Sequence, residues 1–363
     1  MPSEYSVAAL TENPYVEPPS EKMPRLLAEM ISLTAFHTDH CSAYRRILKA
    51  IRSDGQQIQQ LADLTAIPVR LFKEMELLSV PRQEVVKTLT SSGTSGQRPS
   101  RIFLDKETAR MQAHALIRIG RSYLGNSRLP MLILDEPGVL KNRDSFSARG
   151  AGILGFSQFG TDHAYALQSG NMAPDWNVIR DFLAKHSGER IFLFGFTWIV
   201  WQYFLCAAEA SGQQFDFSNS ILIHGGGWKK LEASKVSGEE FKRRLRMSLG
   251  ICDIYNYYGL VEQTGSIYME CEKGYFHAAD YSEILIRDPR TLAGQIPGTV
   301  GLIETLSTIP RSYPGHALLT EDLGVVHRLD GCACGRRGTF FTVIGRLAAA
   351  ELRGCSDTHQ GPS

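Results

Sequence analysis

The most apolar stretch of the chain is residues 191–208, Ile-Phe-Leu-Phe-Gly-Phe-Thr-Trp-Ile-Val-Trp-Gln-Tyr-Phe-Leu-Cys-Ala-Ala. Its first part is a short run of aromatic and branched side chains, which is typical of a strand buried on both faces of a sheet. From Thr197 onward it is long enough for a buried helix, and Gln202 argues against a membrane span. The stretch therefore predicts a strand at residues 191–194 and a helix at residues 197–210.

The same order of a short apolar run and a longer helical segment recurs on both sides of this stretch. Strands are predicted at residues 131–134, 221–223 and 251–255, and helices at residues 176–185 and 239–249. Alternation at a spacing of roughly 30 residues indicates βα units wound into a mostly parallel sheet, so the predicted fold class is α/β. Ligands of such sheets bind beyond the carboxyl ends of the strands.

The two ends of the chain follow other patterns. Residues 21–50 and 54–64 carry apolar side chains at helical spacing, which predicts a helical N-terminal cap. From about Gly274, short strand candidates alternate with Gly and Pro, which indicates a smaller β-rich lobe. The predicted organisation is a helical cap over residues 1–80, an α/β core over residues 81–273, a β-rich lobe over residues 274–347 and a tail over residues 348–363.

Composition narrows the class of protein. The chain has 363 residues, 43% of them apolar, so it can bury a large core. Lys and Arg total 39 against 38 Asp and Glu, and without a basic field no nucleic-acid partner is expected. The N-terminus has no basic segment leading into an apolar run, so no secretory signal is expected. Seven cysteines, an odd number, indicate reduced thiols and a cytoplasmic location.

The strongest local motif is Thr-Ser-Ser-Gly-Thr-Ser-Gly-Gln at residues 90–97, between predicted strands at residues 84–89 and 101–104. Glycines let backbone N–H groups approach phosphate oxygens, and hydroxyls add donors without bulk. The motif predicts a phosphate-binding loop, although a flexible Ser/Gly linker has the same composition. It lacks the Gly-Lys-Ser/Thr end of a Walker A loop. The candidate contacts are Ser91, Ser92, Gly93, Thr94, Ser95 and Gly96.

A second motif, Tyr-Tyr-Gly-Leu-Val-Glu, follows the predicted strand at residues 251–255. At the carboxyl end of a strand, a tyrosine ring of this motif could stack on a base. Glu262 could coordinate a magnesium ion that bridges phosphate oxygens. The alternative is a capped helix start with a surface glutamate.

Two further motifs are weaker. Gly225, Gly226 and Gly227 follow a predicted buried strand, and they permit either a flat ligand against the backbone or a plain tight turn. Asp322, in a Thr-Glu-Asp-Leu-Gly segment, is suited to both hydroxyls of a ribose, and Arg346 to an anionic or hydroxyl neighbour. A surface turn explains each of these two residues when it is taken alone.

The order of these motifs along the chain resembles the core motifs of the acyl-adenylate-forming superfamily, which includes acyl-CoA synthetases, luciferases and peptide-synthetase adenylation domains. The resemblance implies an adenylating α/β domain that uses ATP and Mg2+. It implies that residues 92–96 cradle the triphosphate, that Gly225 to Gly227 and Tyr258 line the adenine, that Glu262 holds magnesium, and that Asp322 and Arg346 contact the ribose.

The sequence departs from the superfamily pattern in two places. The phosphate loop of the superfamily usually closes with a Pro-Lys pair, whereas here Gln97 is followed by Arg98-Pro99-Ser100-Arg101. Either Arg98 or Arg101 is then the expected source of positive charge. The sequence ends soon after Arg346, so the C-terminal domain that usually follows, with its adenylation lysine, is expected to be absent.

The segment Glu-Leu-Arg-Gly-Cys-Ser at residues 351–356 resembles the terminus of the LuxE-type acyl-protein synthetases, the middle component of the bacterial fatty acid reductase complex. Residues 33–37, 67–73 and 193–198 also resemble that family, so the likeness spans nearly the whole chain. In that family a C-terminal cysteine accepts the acyl group and passes it to a reductase subunit, and Cys355 matches its position. A thiolate is a strong nucleophile, and a thioester keeps the acyl group activated.

The resemblance implies a long-chain-fatty-acid–protein ligase. Such an enzyme converts a fatty acid and ATP to acyl-AMP, transfers the acyl group to Cys355 and delivers it to an acyl-protein reductase. Two alternatives stay open: a phenylacetate-type acyl- or aryl-CoA ligase, and a non-catalytic nucleotide-binding subunit.

Cys271, His277, Cys332 and Cys334 occupy two Gly-containing turns. Three thiols and an imidazole match the ligand set of a structural zinc site. Phenylacetate-CoA ligases carry a similar Cys-x-Cys-Gly-Arg segment, and some of them bind zinc there. Free buried cysteines are the alternative.

Overall fold

The structure, a computed structural model, describes residues 12–51, 57–91, 99–140, 148–228 and 234–347. The chain forms two compact units. Unit 1 combines the residues up to Leu116 with those from Gly259 onward, and unit 2 is Ile117–Tyr258. The predicted helical cap and the predicted β-rich lobe thus both contribute to unit 1, and the domain boundaries at residues 80, 273 and 347 stay a prediction.

The elements are numbered in chain order. The helices are α1 (Pro19–His40), α2 (Ser42–Ile51), α3 (Leu71–Glu74), α4 (Lys106–Leu124), α5 (Ala148–Ser157), α6 (Trp176–Lys185), α7 (Thr197–Ile199), α8 (Cys206–Ser211) and α9 (Gly238–Leu249). The strands are β1 (Ile67–Pro68), β2 (Val85–Thr90), β3 (Arg101–Asp105), β4 (Leu129–Ile133), β5 (Gly160–Tyr165), β6 (Ile191–Phe196), β7 (Ser220–Gly225), β8 (Asp253–Tyr258), β9 (Tyr268–Glu270), β10 (Phe276–His277), β11 (Ser282–Arg287), β12 (Gly301–Ser307), β13 (Ala317–Arg328) and β14 (Phe340–Arg346). No helix in the described ranges is both long and apolar enough to cross a bilayer.

Unit 2 is built on a parallel sheet with the strand order β5, β4, β6, β7, β8. Every residue of β6 and of β7 is buried, as expected for central strands covered on both faces. The predicted α/β class with parallel strands is therefore confirmed. Phe196, Gly225 and Tyr258 end their strands at the carboxyl edge of this sheet.

The segment predicted as one helix at residues 197–210 is helical, but not uniformly α-helical. A π-helical turn at Val200–Leu205 separates α7 from α8. Val200, Phe204 and Leu205 of this wider turn are fully buried. The helix ends at Gly212, whose φ of 65° is the left-handed conformation that glycine adopts without steric cost.

Unit 1 contains an antiparallel sheet with the order β11, β12, β13, β14, β10, β9. Strand β1 adds to β13 in parallel, and β2 and β3 form a separate hairpin. Thr320 to Gly324, for which a surface turn is the alternative from sequence, lie inside the twelve-residue strand β13. Cross-strand pairing with β12 and β14 holds this polar segment extended.

The helical period predicted over residues 21–50 is interrupted at Cys41, which is extended at φ −119° and ψ 100°. Its N–H donates to His37 O at 2.9 Å to end α1, and its Sγ accepts from Tyr44 N at 3.5 Å at the start of α2. The helix predicted at residues 54–64 is wrong within the described residues, which contain only a short 3-10 turn at Leu61–Asp63. There the Asp63 carboxylate accepts from backbone N–H groups and competes with helix formation.

One hydrophobic cluster of unit 1, the hairpin cluster, joins the β2–β3 hairpin to α3 and to β13. Its buried members are Cys41, Ala43, Tyr44, Ile47, Ile67, Phe72, Leu77, Leu89, Ile102, Leu104, Tyr313 and Leu318. Val261 packs against it. Because these side chains share one core, the hairpin, α3 and the turn at Val261 hold fixed positions relative to one another.

A buried ion pair between Lys22 and Glu283 contributes to the stability of unit 1, and its removal is a testable change. Lys22 Nζ lies 3.0 Å from Glu283 Oε2, and each side chain is 1% exposed. Lys22→Met is expected to lower the free energy of unfolding by about 3–5 kcal/mol, because Glu283 is then a buried charge without its partner. Urea denaturation measures the change. The control is Arg70→Met, which removes an exposed ion pair with Glu74 and should lower the free energy of unfolding by less than about 1 kcal/mol. Equal losses in the two variants would contradict the burial of the Lys22–Glu283 pair.

Candidate functional site

The neck of the Ser/Gly loop is formed by Ser91 and Ser100. Ser91 N donates to Ser100 O at 3.2 Å, and Ser100 N donates to Ser91 Oγ at 2.9 Å. These bonds continue the pairing of β2 with β3 beyond Thr90 and Arg101. The predicted contacts Ser92, Gly93, Thr94, Ser95 and Gly96 lie outside the described residues, as does Arg98.

Glu262 sits in a buried 3-10 turn, Val261–Gln263, and is 8% exposed. Burial raises the pKa of Glu262, whereas the neighbouring Ser100 hydroxyl and the positive charges of Lys73 and Arg346 act to lower it. A carboxylate oxygen in a poorly hydrated place beside phosphate-binding candidates is a ligand that suits Mg2+. The structure thus groups Glu262 with the loop neck and with Arg346. Of these residues, Ser91, Glu262 and Arg346 are predicted from sequence to act on one ligand.

Two residues that the sequence analysis did not single out hold this turn in place. The Gln263 side-chain Nε2 donates to Thr305 O at 3.2 Å and to Gly315 O at 2.9 Å. A Cβ on Gly315 would lie 2.9 Å from Glu262 O, so the close approach of these two backbones requires glycine. Both contacts join residues far apart in the sequence, and no local pattern identifies them.

Asp322 and Arg346 face each other across β13 and β14. Arg346 Nε lies 3.6 Å from Asp322 Oδ1, and the two side chains are 62% and 15% exposed. Asp322 N donates to Thr320 Oγ1 at 3.1 Å, which fixes the backbone of the Thr-Glu-Asp segment. The two predicted ribose contacts therefore lie together, with a carboxylate acceptor beside a guanidinium donor.

In unit 2, the glycine turn at the end of β7 meets an aromatic ring. A Cβ on Gly225 would lie 2.3 Å from the ring of Tyr257, so the ring packs directly on the backbone. Gly226 has a φ of 77°, and a Cβ on Gly227 would meet nothing within 4 Å. Tyr258 follows Tyr257 in the same strand, and its side chain points to the other face of the sheet.

A buried threonine and histidine support the same turn. Thr197 Oγ1 lies 3.2 Å from Gly225 O and 3.0 Å from His224 Nδ1. Because a carbonyl can only accept, the Thr197 hydroxyl donates to Gly225 O and accepts from His224 Nδ1–H. Burial lowers the pKa of His224 to about 3, so this imidazole is neutral near pH 7. Neither residue was singled out from sequence.

The four predicted zinc ligands are brought together in unit 1. Cys271 follows β9, His277 lies in β10, and Cys332 and Cys334 lie between β13 and β14. Cys271 Sγ is 3.9 Å from Cys332 Sγ, and Cys334 Sγ is 3.4 Å from His277 Nε2. All four ligand atoms lie within 4.8 Å of one another, a spacing that one tetrahedral ion can span. Burial raises the pKa of Cys271 to about 12 and lowers that of His277 to about 4.

The sequence was compared with those of known protein families. The sequence profile of the family described as "Acyl-protein synthetase, LuxE" matches residues 3–361. The chain belongs to the LuxE acyl-protein synthetase family.

Curated relatives of this LuxE-family protein carry one name. It is 24% identical over 332 residues to the long-chain-fatty-acid–luciferin-component ligase of Vibrio harveyi, covering 88% of this chain and 83% of the relative. It is 21% identical over 329 residues to the ligase of the same name from Aliivibrio fischeri, covering 88% and 84%. A solved structure of 2-hydroxyisobutyryl-CoA ligase, in an open conformation with 2-HIB-AMP and CoA, matches with a TM-score of 0.72. At 16% identity, over 94% of this chain and 80% of that one, the match shows a shared fold.

The glycine turn of the LuxE-family protein gives a matched pair of variants. Gly225→Ala is expected to lower the free energy of unfolding by about 1–3 kcal/mol, because the new methyl group overlaps the Tyr257 ring. Gly227→Ala adds the same methyl group in open space and should change it by less than about 0.5 kcal/mol. Urea denaturation of both variants measures the difference. A Gly225→Ala variant as stable as Gly227→Ala would contradict the ring packing.

Proposed function

We propose that this LuxE-family protein uses ATP to activate a long-chain fatty acid as an acyl-adenylate and then transfers the acyl group to its own Cys355. The observation that carries the proposal is the environment of Glu262. A buried carboxylate stands beside Ser100 at the neck of the Ser/Gly loop and within electrostatic reach of Lys73 and Arg346. The names of the two curated relatives support the choice of a fatty acid.

In the first step, a carboxylate oxygen of the fatty acid attacks the α-phosphorus of ATP. The bond from that phosphorus to the bridging oxygen breaks, and pyrophosphate leaves with the electron pair. Ser91 and the loop residues Ser92 to Gly96 bind the triphosphate through N–H and hydroxyl donors. Glu262 would hold Mg2+, which would supply positive charge to the phosphate oxygens.

The nucleoside is assigned to the remaining motif residues. Asp322 accepts hydrogen bonds from the ribose hydroxyls, and Arg346 holds the Asp322 carboxylate and donates to the same sugar. Gly225, Gly226 and Gly227 offer backbone without side-chain bulk to the adenine, and Tyr258 offers an aromatic face. None of these groups undergoes bond changes, so their contribution is orientation.

In the second step, the Cys355 thiolate attacks the carbonyl carbon of the acyl-adenylate. AMP leaves, and a thioester remains on the enzyme. Because a thioester keeps the acyl group activated, it can pass to a second protein. We propose an acyl-protein reductase as that partner.

The first test is intact-protein mass spectrometry after incubation with ATP, Mg2+ and a panel of fatty and aromatic acids. We expect an ATP-dependent adduct equal to the acid minus one water, removed by neutral hydroxylamine and absent from Cys355→Ser. The matched control is Cys252→Ser, which removes an exposed thiol and should retain the adduct.

The other outcomes favour other functions. Release of AMP that requires coenzyme A and survives Cys355→Ser would favour a phenylacetate-type acyl-CoA ligase. Absence of both an adduct and ATP–pyrophosphate exchange with every acid would favour a non-catalytic nucleotide-binding subunit.

We also propose that Cys271, His277, Cys332 and Cys334 hold a structural zinc ion. Three thiolates and an imidazole match the ligand preference of Zn2+, and four protein ligands leave no open position for catalysis. Their mutual distances support the proposal. As free thiols, Cys271 and Cys332 are neutral because burial raises the pKa of each, so metal binding would release protons.

The zinc proposal is tested by elemental analysis of the purified protein. We expect about one zinc per chain in the wild type, a loss in Cys271→Ser, and retention in Cys206→Ser, which alters a half-exposed thiol of unit 2. A strong chelator should lower the Tm of the wild type and of Cys206→Ser, and should leave that of Cys271→Ser unchanged. Zinc-free protein with an unchanged Tm would show that the four residues are a free thiol cluster.

The proposed location is the cytoplasm. The cysteines of the described ranges, Cys41, Cys206, Cys252, Cys271, Cys332 and Cys334, are free thiols, which fits a reducing compartment. An acyl-accepting thiol also has to stay reduced to act.

A further inference from the structure

The proposed function requires positive charge at the triphosphate, yet no lysine closes the Ser/Gly loop. We propose that Lys73, on the short helix α3, is a phosphate-binding residue of this enzyme and supplies that charge from outside the loop. The inference rests on the proposed function, because it names a further residue of the same nucleotide site.

The chain just before Lys73 is fixed to the strand that carries Asp322. Pro68 pairs with Leu319 in the parallel contact of β1 with β13, and Val69 N donates to Leu319 O at 3.0 Å. Leu319 is followed directly by Thr320, so the chain that leads into α3 lies beside the start of the Thr-Glu-Asp segment.

Phe72 then fixes the orientation of α3. Its side chain is 1% exposed, and its ring meets that of Tyr313 edge-on, with the centroids 6.0 Å apart. Both rings belong to the hairpin cluster, with Leu89 and Ile102 from the strands that flank the Ser/Gly loop. The helix that carries Lys73 and the strands that lead to the loop neck therefore pack on the same hairpin cluster.

The turn that carries the proposed magnesium ligand packs on the same hairpin cluster as α3. Val261, next to Glu262, packs on the hairpin cluster, and the Lys73 charge reaches the Glu262 carboxylate. The Lys73 side chain is half-buried, so its charge is less screened than one at the surface. An ammonium with three donors on a long stem binds phosphate as a point charge.

Three other described cations of unit 1, Arg70, Arg101 and Arg346, are worse placed for this role, and Arg98 lies outside the described residues. Arg70 is exposed and pairs with Glu74 at 3.5 Å. Arg346 faces Asp322, where the ribose is assigned. Arg101 is exposed at the start of β3. Of these groups and Lys73, only Lys73 is both half-buried and carried by a helix that packs on the hairpin cluster together with the Glu262 turn.

The test compares Lys73→Met, Lys73→Arg and Arg70→Met by acid-dependent ATP–pyrophosphate exchange. For Lys73→Met we expect the KM for ATP to rise by about 10- to 100-fold, the range for loss of a hydrogen bond to a charged group, with the KM for the fatty acid unchanged. Lys73→Arg should recover part of the loss, and Arg70→Met should behave as wild type. In a thermal-shift assay, Lys73→Met should lose stabilisation by ATP and keep that by adenosine.

The outcomes separate this inference from the proposed function. Wild-type protein that shows no exchange with any acid overturns the proposed function before Lys73 is tested. Normal exchange in the wild type with an unchanged KM for ATP in Lys73→Met overturns the role of Lys73 alone. Equal losses of stabilisation by ATP and by adenosine would also overturn it, because they would point to a general defect of the site.

Discussion

The positions of the loop neck and of the Glu262 turn, which are proposed to bind the nucleotide, depend on the burial of the hairpin cluster. Leu89 and Ile102 bring the two strands that flank the Ser/Gly loop into one apolar core with Phe72 and Tyr313. Through these two strands the cluster fixes the loop neck, Ser91 and Ser100, at which the loop begins and ends. Because Val261 packs on the same cluster, the Glu262 turn is held in register with the loop neck.

Three buried glutamates of unit 1 differ in whether a positively charged side chain pairs with them. Glu283 is paired directly with Lys22, and Glu304 with Arg287, so each has a fixed countercharge in the folded chain. Glu262 makes no such ion pair among the residues that the structure describes, and burial raises its pKa. A buried carboxylate in this condition is stabilised by any cation that enters, which is the property that a substrate-linked metal ligand requires.

Strands that are buried on both faces can be predicted from sequence. Features that depend on contacts between segments far apart in the sequence cannot. Strands β6 and β7 read as apolar runs because both of their faces are covered. The polar residues around Thr320 broke that pattern, although pairing on both sides makes them part of β13. Likewise, the motifs predict roles for Glu262 and Asp322, but the anchoring of Gln263 and the packing of Tyr257 on Gly225 arise only when separate segments meet.

The burial and position of several described cysteines bear on the proposal that Cys355 is the acyl acceptor. Cys271 and Cys332 have raised pKa values because they are buried, which makes them poor nucleophiles as free thiols. Cys41 is buried in the hairpin cluster. Cys252 is exposed, but it precedes β8, at the amino edge of the parallel sheet and opposite the edge where Gly225 ends β7. Burial disfavours Cys41, Cys271 and Cys332 as acceptors, and Cys252 lies at the edge of its sheet opposite Gly225, so none of these four thiols is proposed in place of Cys355.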